Sequence, residues 1–111
     1  MILSKKLSEA FNAQVNAEMW SSNLYLSMSV HFQKLGLNGF AHWMKKQAEE
    51  EMEHAHKIIA EEDKDHASRD FLFGFVREQV EEESTAKEIV EQLKNYGECH
   101  VGILDHRLGK R

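Results

Sequence analysis

The sequence predicts an all-α protein, an antiparallel bundle of three long helices followed by one short helix. Three observations point there. Among 111 residues there is no proline and there are only six glycines, so few positions can interrupt a helix. Turn signals are confined to three places: Gly36-Leu37-Asn38-Gly39, the acidic run Glu61-Glu62-Asp63-Lys64-Asp65, and Asn95-Tyr96-Gly97. Between these breaks apolar residues recur in steps of three and four, the period of one helix face. The length suits one domain spanning residues 1–111, with no linker or internal repeat to divide it.

The first helix is expected from about Ser4 to Leu35, roughly 45 Å at 1.5 Å per residue. Its stripe reads Leu7, Phe11, Gln14, Glu18, Ser21, Tyr25, Met28, Phe32 and Leu35. On the second helix the same walk gives Phe40, Met44, Gln47, Glu51, His54 and Ile58, and on the third Leu72, Phe75, Gln79, Glu82, Ala86, Ile89 and Leu93. The tail that ends Leu108-Gly109-Lys110-Arg111 holds a short fourth helix. Every long stripe is apolar at its ends and polar in its middle. Burying carboxylates there without a partner costs several kcal/mol each.

A shared metal cation is the economical compensation. Glu51 and His54 stand three residues apart on one face, so a carboxylate and an imidazole can meet one ion. An E-x-x-H pair is often a solvated surface pair, and Glu53-x-x-His56 overlaps it, but only Glu51 and His54 lie on the apolar stripe. Glu18 falls at a comparable depth if the first two helices form a hairpin. Gln79 and Glu82 repeat the spacing on the third helix, while Glu78, Glu81 and Glu83 belong mostly to a charged face. Tyr25 lies on the Glu18 stripe, with packing or a redox role open to it. Met52 is read as packing rather than haem ligation, and Trp20 and Trp43 as packing or contact residues.

Other classes fare worse. A net charge of −5 argues against nucleic acid, whose phosphates require clustered Lys and Arg. With 41% hydrophobic and 30% charged residues, the chain has no stretch suited to a membrane. Cys99 is the single cysteine, and the first residues lack a secretory apolar region. A reducing compartment, the cytoplasm, is the expected location.

The segments Gln14 to Met28 and Gly39 to His54 resemble the first two helices of prokaryotic non-haem ferritins. Asp70-Phe-Leu-Phe-Gly-Phe-Val-Arg-Glu78-Gln79-Val-Glu-Glu82-Glu resembles their fourth helix, and Leu104-Asp-His-Arg-Leu108-Gly109 their short terminal helix. The resemblance implies a di-iron protein that oxidises Fe(II) with oxygen or peroxide and stores the ferric mineral in a shell of subunits. By the same resemblance Glu18, Glu51 and His54 hold the first iron, Glu51 bridges to the second, and Gln79 lies beside the pair. Glu50, Glu78, Glu81 and Glu82 match positions of an additional, weaker iron. Zn(II) or another divalent ion is a surrogate for Fe(II).

One departure bears on function. The family's crossover and third helix, roughly fifty residues of a four-helix bundle, are absent between Ile59 and Asp63, and with them a glutamate of the second iron site. Glu98 only faintly resembles that segment. Ferroxidase activity is therefore an open expectation, with a structural self-assembling module as the alternative. A rubrerythrin-like peroxidase fits less well, since one cysteine cannot build its iron domain. Three helices cannot cover all their seams, so the groove around Leu7, Phe11, Leu72 and Phe75 is expected to be closed by a second copy, a homodimer at minimum and a closed cage at most.

Overall fold

In the computed structural model, which describes residues 5–62 and 69–111, the chain forms α1 (Lys5–Lys34), α2 (Asn38–Glu62), α3 (Arg69–Asn95) and α4 (Glu98–Leu108). Ser4, most of the acidic run Glu61 to Asp65, and the side chains of Glu98 and Cys99 lie outside the described residues. The molecule measures 56 × 20 × 19 Å with a radius of gyration of 16.7 Å, well above the ~13 Å of an average compact chain of this length. Long parallel-sided helices produce that shape.

The α1–α2 connection is tighter than the Gly36 to Gly39 turn expected from sequence. Gly36 takes φ +77°, its N–H donates to the Gln33 carbonyl, and the Leu37 N–H reaches back to the Phe32 carbonyl at 3.0 Å. This pair of bonds ends a helix on a left-handed residue, and Leu37 packs onto the cluster that contains Phe32, as such ends commonly do. α2 therefore starts at Asn38. Gly39 serves a different purpose from turning: a Cβ there would lie 1.6 Å from the Asp105 carbonyl oxygen. The absent side chain lets α4 sit against the first turn of α2, where Asp105 Oδ1 accepts the Phe40 N–H at 2.9 Å and satisfies one donor at that helix end.

The Ser29 hydroxyl donates to the Ala41 carbonyl at 2.6 Å and the Ser22 hydroxyl to the Ala48 carbonyl at 2.7 Å. Both bonds fix one antiparallel register, which sets Glu18 opposite Met52 and thus beside Glu51. α3 runs antiparallel to α2, for Leu72 packs with Ile58 while Gln79 reaches Glu51.

The core has two apolar ends. Phe32, Phe40, Met44, Ile89, Leu104 and Leu108 cluster toward the α1–α2 turn, and Phe11, Ile58 and Leu72 cluster at the opposite end. Between them lies a buried polar layer of Gln14, Glu18, Ser21, Gln47, Glu51, His54 and Gln79. The open groove includes Leu7 and Leu72, as expected from sequence, but not Phe11. Phe11 is fully buried against Leu72 and Ile58, so it closes that end, while Leu72 also borders the opening. The opening runs between α1 and α3, with a cavity of about 590 Å³ lined by Leu7, Ala13, Phe73 and Val76 and another of about 600 Å³ lined by Trp20, Leu24, Met28 and Val90. Among the described residues no helix is long and apolar enough to cross a membrane.

Candidate metal centre

Glu18 on α1 and Glu51 on α2 are fully buried and His54 is 5% exposed. Each helix supplies its own support. Gln14 Nε2 donates to Glu18 at 3.2 Å and Gln47 Nε2 to Glu51 at 3.1 Å, the same Gln-x-x-x-Glu pair one helical turn apart on α1 and α2. From α3, Gln79 bonds three of these groups at once. Its oxygen accepts from Gln14 at 2.9 Å, and its nitrogen lies 3.1 Å from the Ser21 hydroxyl and 3.3 Å from Glu51. Gln47 also donates to Glu82.

Ligand atoms of Glu18, Glu51 and His54 all lie within 4.8 Å of one another. A second group with the same spread consists of Glu50, His54, Glu78 and Glu82, so His54 belongs to both. Its Nδ1 is 3.6 Å from Glu18 Oε2 and 3.7 Å from Glu82 Oε1, while Nε2 is 3.5 Å from Glu78 Oε1. Those separations are too long for hydrogen bonds. Indeed Glu18 Oε2, His54 Nδ1 and Glu82 Oε1 are buried without a hydrogen-bond partner, a state that costs each group its hydration.

Electrostatics point the same way. The Glu18 carboxyl is pushed up to about 9, first by burial and then by Glu51, through a hydrogen bond and its charge, while Gln14 pulls the other way. Glu82 is pushed up to about 7, again by burial first, with Gln47 opposing and Glu51, Glu50 and Glu78 adding. Burial and then the charges of Glu51, Glu83 and Glu82 hold the Tyr25 phenol above its ordinary range. Carboxylates crowded in a dry layer keep protons unless a cation replaces them. A divalent ion fits this donor set of hard oxygens and one imidazole.

The remaining sequence candidates divide. Gln79 contacts the inner group, and Glu50, Glu78 and Glu82 form the outer one with His54. Glu81 is exposed and belongs to neither group. It projects to the side of the face shared by Glu78 and Glu82, which stand four residues apart. Tyr25 packs in the apolar cluster toward the turn. Gln14, Gln47 and Ser21 were legible as stripe positions but not as supports. Their signal is the repeated Gln-x-x-x-Glu spacing.

Comparison with known proteins agrees with the geometry. The model of the ferritin-like domain matches residues 8–60 and 59–96, two stretches that meet near the end of α2. The bacterial non-heme ferritin of Bacteroides fragilis is 40% identical over 159 residues, covering 99% of this chain and 100% of that protein. That alignment is about fifty positions longer than the 111 residues present, which accords with a missing internal segment. The bacterial non-heme ferritin of Staphylococcus haemolyticus is 28% identical, covering 87% of this chain and 88% of its own. An open pore ferritin from Archaeoglobus fulgidus superposes with a TM-score of 0.81 at 31% identity, covering 98% of each chain.

Proposed function

Because the chain belongs to the ferritin family, we propose that it binds Fe(II) at Glu18, Glu51 and His54, promotes its oxidation and retains the ferric product. The observation that carries this reading is the convergence of buried donors from α1 and α2, two of whose atoms, Glu18 Oε2 and His54 Nδ1, have no hydrogen-bond partner. Fe(II) is the substrate. Glu18 and Glu51 receive it as anions, and the proton that leaves Glu18 is released to solvent. Gln14 and Gln47 hold the two carboxylates in place, and Gln79 orients Glu51. The outer group of Glu50, His54, Glu78 and Glu82 supplies a second position, Glu81 flanks it, and Tyr25 is a nearby redox-capable phenol. Each iron gives one electron to dioxygen or peroxide, which takes up protons as it is reduced.

The whole chain acts as one shortened ferritin-like domain in this reading, working in the reducing cytoplasm as a homo-oligomer. Met19, Leu26, Val30, Met52 and Ile59 are exposed on α1 and α2, Trp20 and Phe73 in the cavities of the α1–α3 groove, and Val80 on α3. Apolar surface of that extent is rarely left in water.

Aerobic oxidation of Fe(II), followed by ferric absorbance, tests the enzymatic part. The expected rate exceeds that of buffer but falls roughly 10-fold or more below a full-length relative, because a support missing from the first or second ligand shell typically costs 10- to 100-fold. Oxidation no faster than buffer would favour the alternative of a structural assembly module. The open α1–α3 groove, where a further helix would complete the bundle, is what keeps that alternative in play.

A further inference from the structure

Arg111 follows α4 and folds back onto α2. Its guanidinium carbon lies 4.4 Å from the centroid of the Trp43 ring, Nη1 donates to the Trp43 carbonyl at 3.3 Å, and Nη2 donates to Glu50 Oε2 at 2.8 Å. Three contacts of different kinds thus hold one cation in place, a guanidinium on an indole face among them. Glu50 is also a member of the outer group. That group is more than a patch of acid: His54 is 5% exposed, its Nδ1 has no hydrogen-bond partner, and its Nε2 faces Glu78 at 3.5 Å.

We propose that Arg111 is a positioning residue that keeps the outer group a weak, rapidly exchanging site for divalent cations. It occupies one oxygen of Glu50, so an arriving ion meets a single oxygen there instead of a chelating pair. It also places a fixed positive charge beside the ion, which like charge opposes. The two effects act in the same direction. By reciprocity, an ion that does bind must loosen the hold of Arg111 on Glu50 and hence on Trp43. Occupancy of the outer group is therefore reported by a residue on the surface of α2. This inference rests on the reading that the carboxylate–histidine groups bind metal, and it adds the residue that sets the affinity of one of them.

The test is a Zn(II) titration of the metal-free full chain carrying Trp20→Phe, which leaves Trp43 as the single tryptophan of the two in the sequence. Calorimetry reads the tighter and weaker binding phases, and fluorescence reads Trp43. Zn(II) is expected to change Trp43 emission in step with the weaker phase. Arg111→Gln should abolish that change and tighten the weaker phase about tenfold, while Arg111→Lys, which retains the charge, should bring back weak binding. Glu50→Gln should remove the Trp43 response even with Arg111 intact. An unchanged or lower affinity in Arg111→Gln, with the tighter phase intact and helicity by circular dichroism preserved, would overturn the inference alone. Absence of Zn(II) binding in parent and variants would overturn the metal-site reading as well.

Discussion

Glu18→Gln should make the metal-free protein more stable at pH 8 to 9 while removing its tight Fe(II) binding. The Glu18 carboxyl is raised from 4.5 to about 9, so the folded protein keeps a proton that the unfolded chain gives up. The sign follows from that difference in bound protons. This group's contribution is whole below about pH 4.5 and is lost progressively as the pH rises toward 9. Glu82, raised to about 7, acts in the same direction over the lower part of that range. Together they should cost the parent several kcal/mol between pH 5 and 9, since each tenfold change in proton affinity is worth about 1.4 kcal/mol. Urea unfolding of the metal-free parent and Glu18→Gln across this range checks it. The parent should lose stability steeply and the variant much less. Parallel curves would mean that Glu18 does not bear the buried proton. A carboxylate retained at such a cost is a functional group before it is a structural one.

Assembly is the second large effect. Free chain of 12.9 kDa should be a minor species in sedimentation, with a dimer or larger assembly dominant and further favoured by Fe(II) or Zn(II). Trp20 is 66% exposed and lines one of two groove cavities each close to 600 Å³, and Val80 is 63% exposed on α3 between Val76 and Glu83, which line those cavities. Covering such surface is worth roughly 25 cal/mol per Å², and a twofold axis allows one patch to cover its own copy. Metal adds to this by linkage if ions bind the assembled form more tightly. Trp20→Glu with Val80→Glu should shift the distribution toward the single chain. One species near 12.9 kDa with and without metal would show that the three helices suffice by themselves.

Much of this architecture was legible in the sequence, and the reasons are local. Period-three-and-four stripes dictate helices, and a stripe that turns polar in its middle marks a layer that must be compensated. Glu18, Glu51, His54, Gln79 and Glu82 stand out on that ground, and the fold brings the first four into one buried layer with Glu82 half-buried at its edge. The overlapping pair Glu53 and His56 proved exposed, as its position off the stripe required. Tertiary relations were less legible. Asn38 and Gly39 read as turn residues, yet they begin α2, because the requirement at Gly39 comes from Asp105 on a distant helix. Phe11 read as a groove residue but is fully buried on Ile58, since α3 settles over the end of the hairpin, whereas Leu7 and Leu72 do line the groove. Arg111 carried no periodic signal, and only the fold brings it to Trp43 and Glu50.

If the buried donors of α1 and α2 bind iron, removing them must abolish tight binding. Anaerobic Fe(II) titration of the parent and of the double variant Glu51→Ala, His54→Ala tests this. The parent should bind Fe(II) tightly and release protons at pH 7, as Glu18 ionises to receive the ion. The double variant, folded by circular dichroism, should lose the tight phase. An unchanged Fe(II) stoichiometry in that variant would show that iron binds elsewhere.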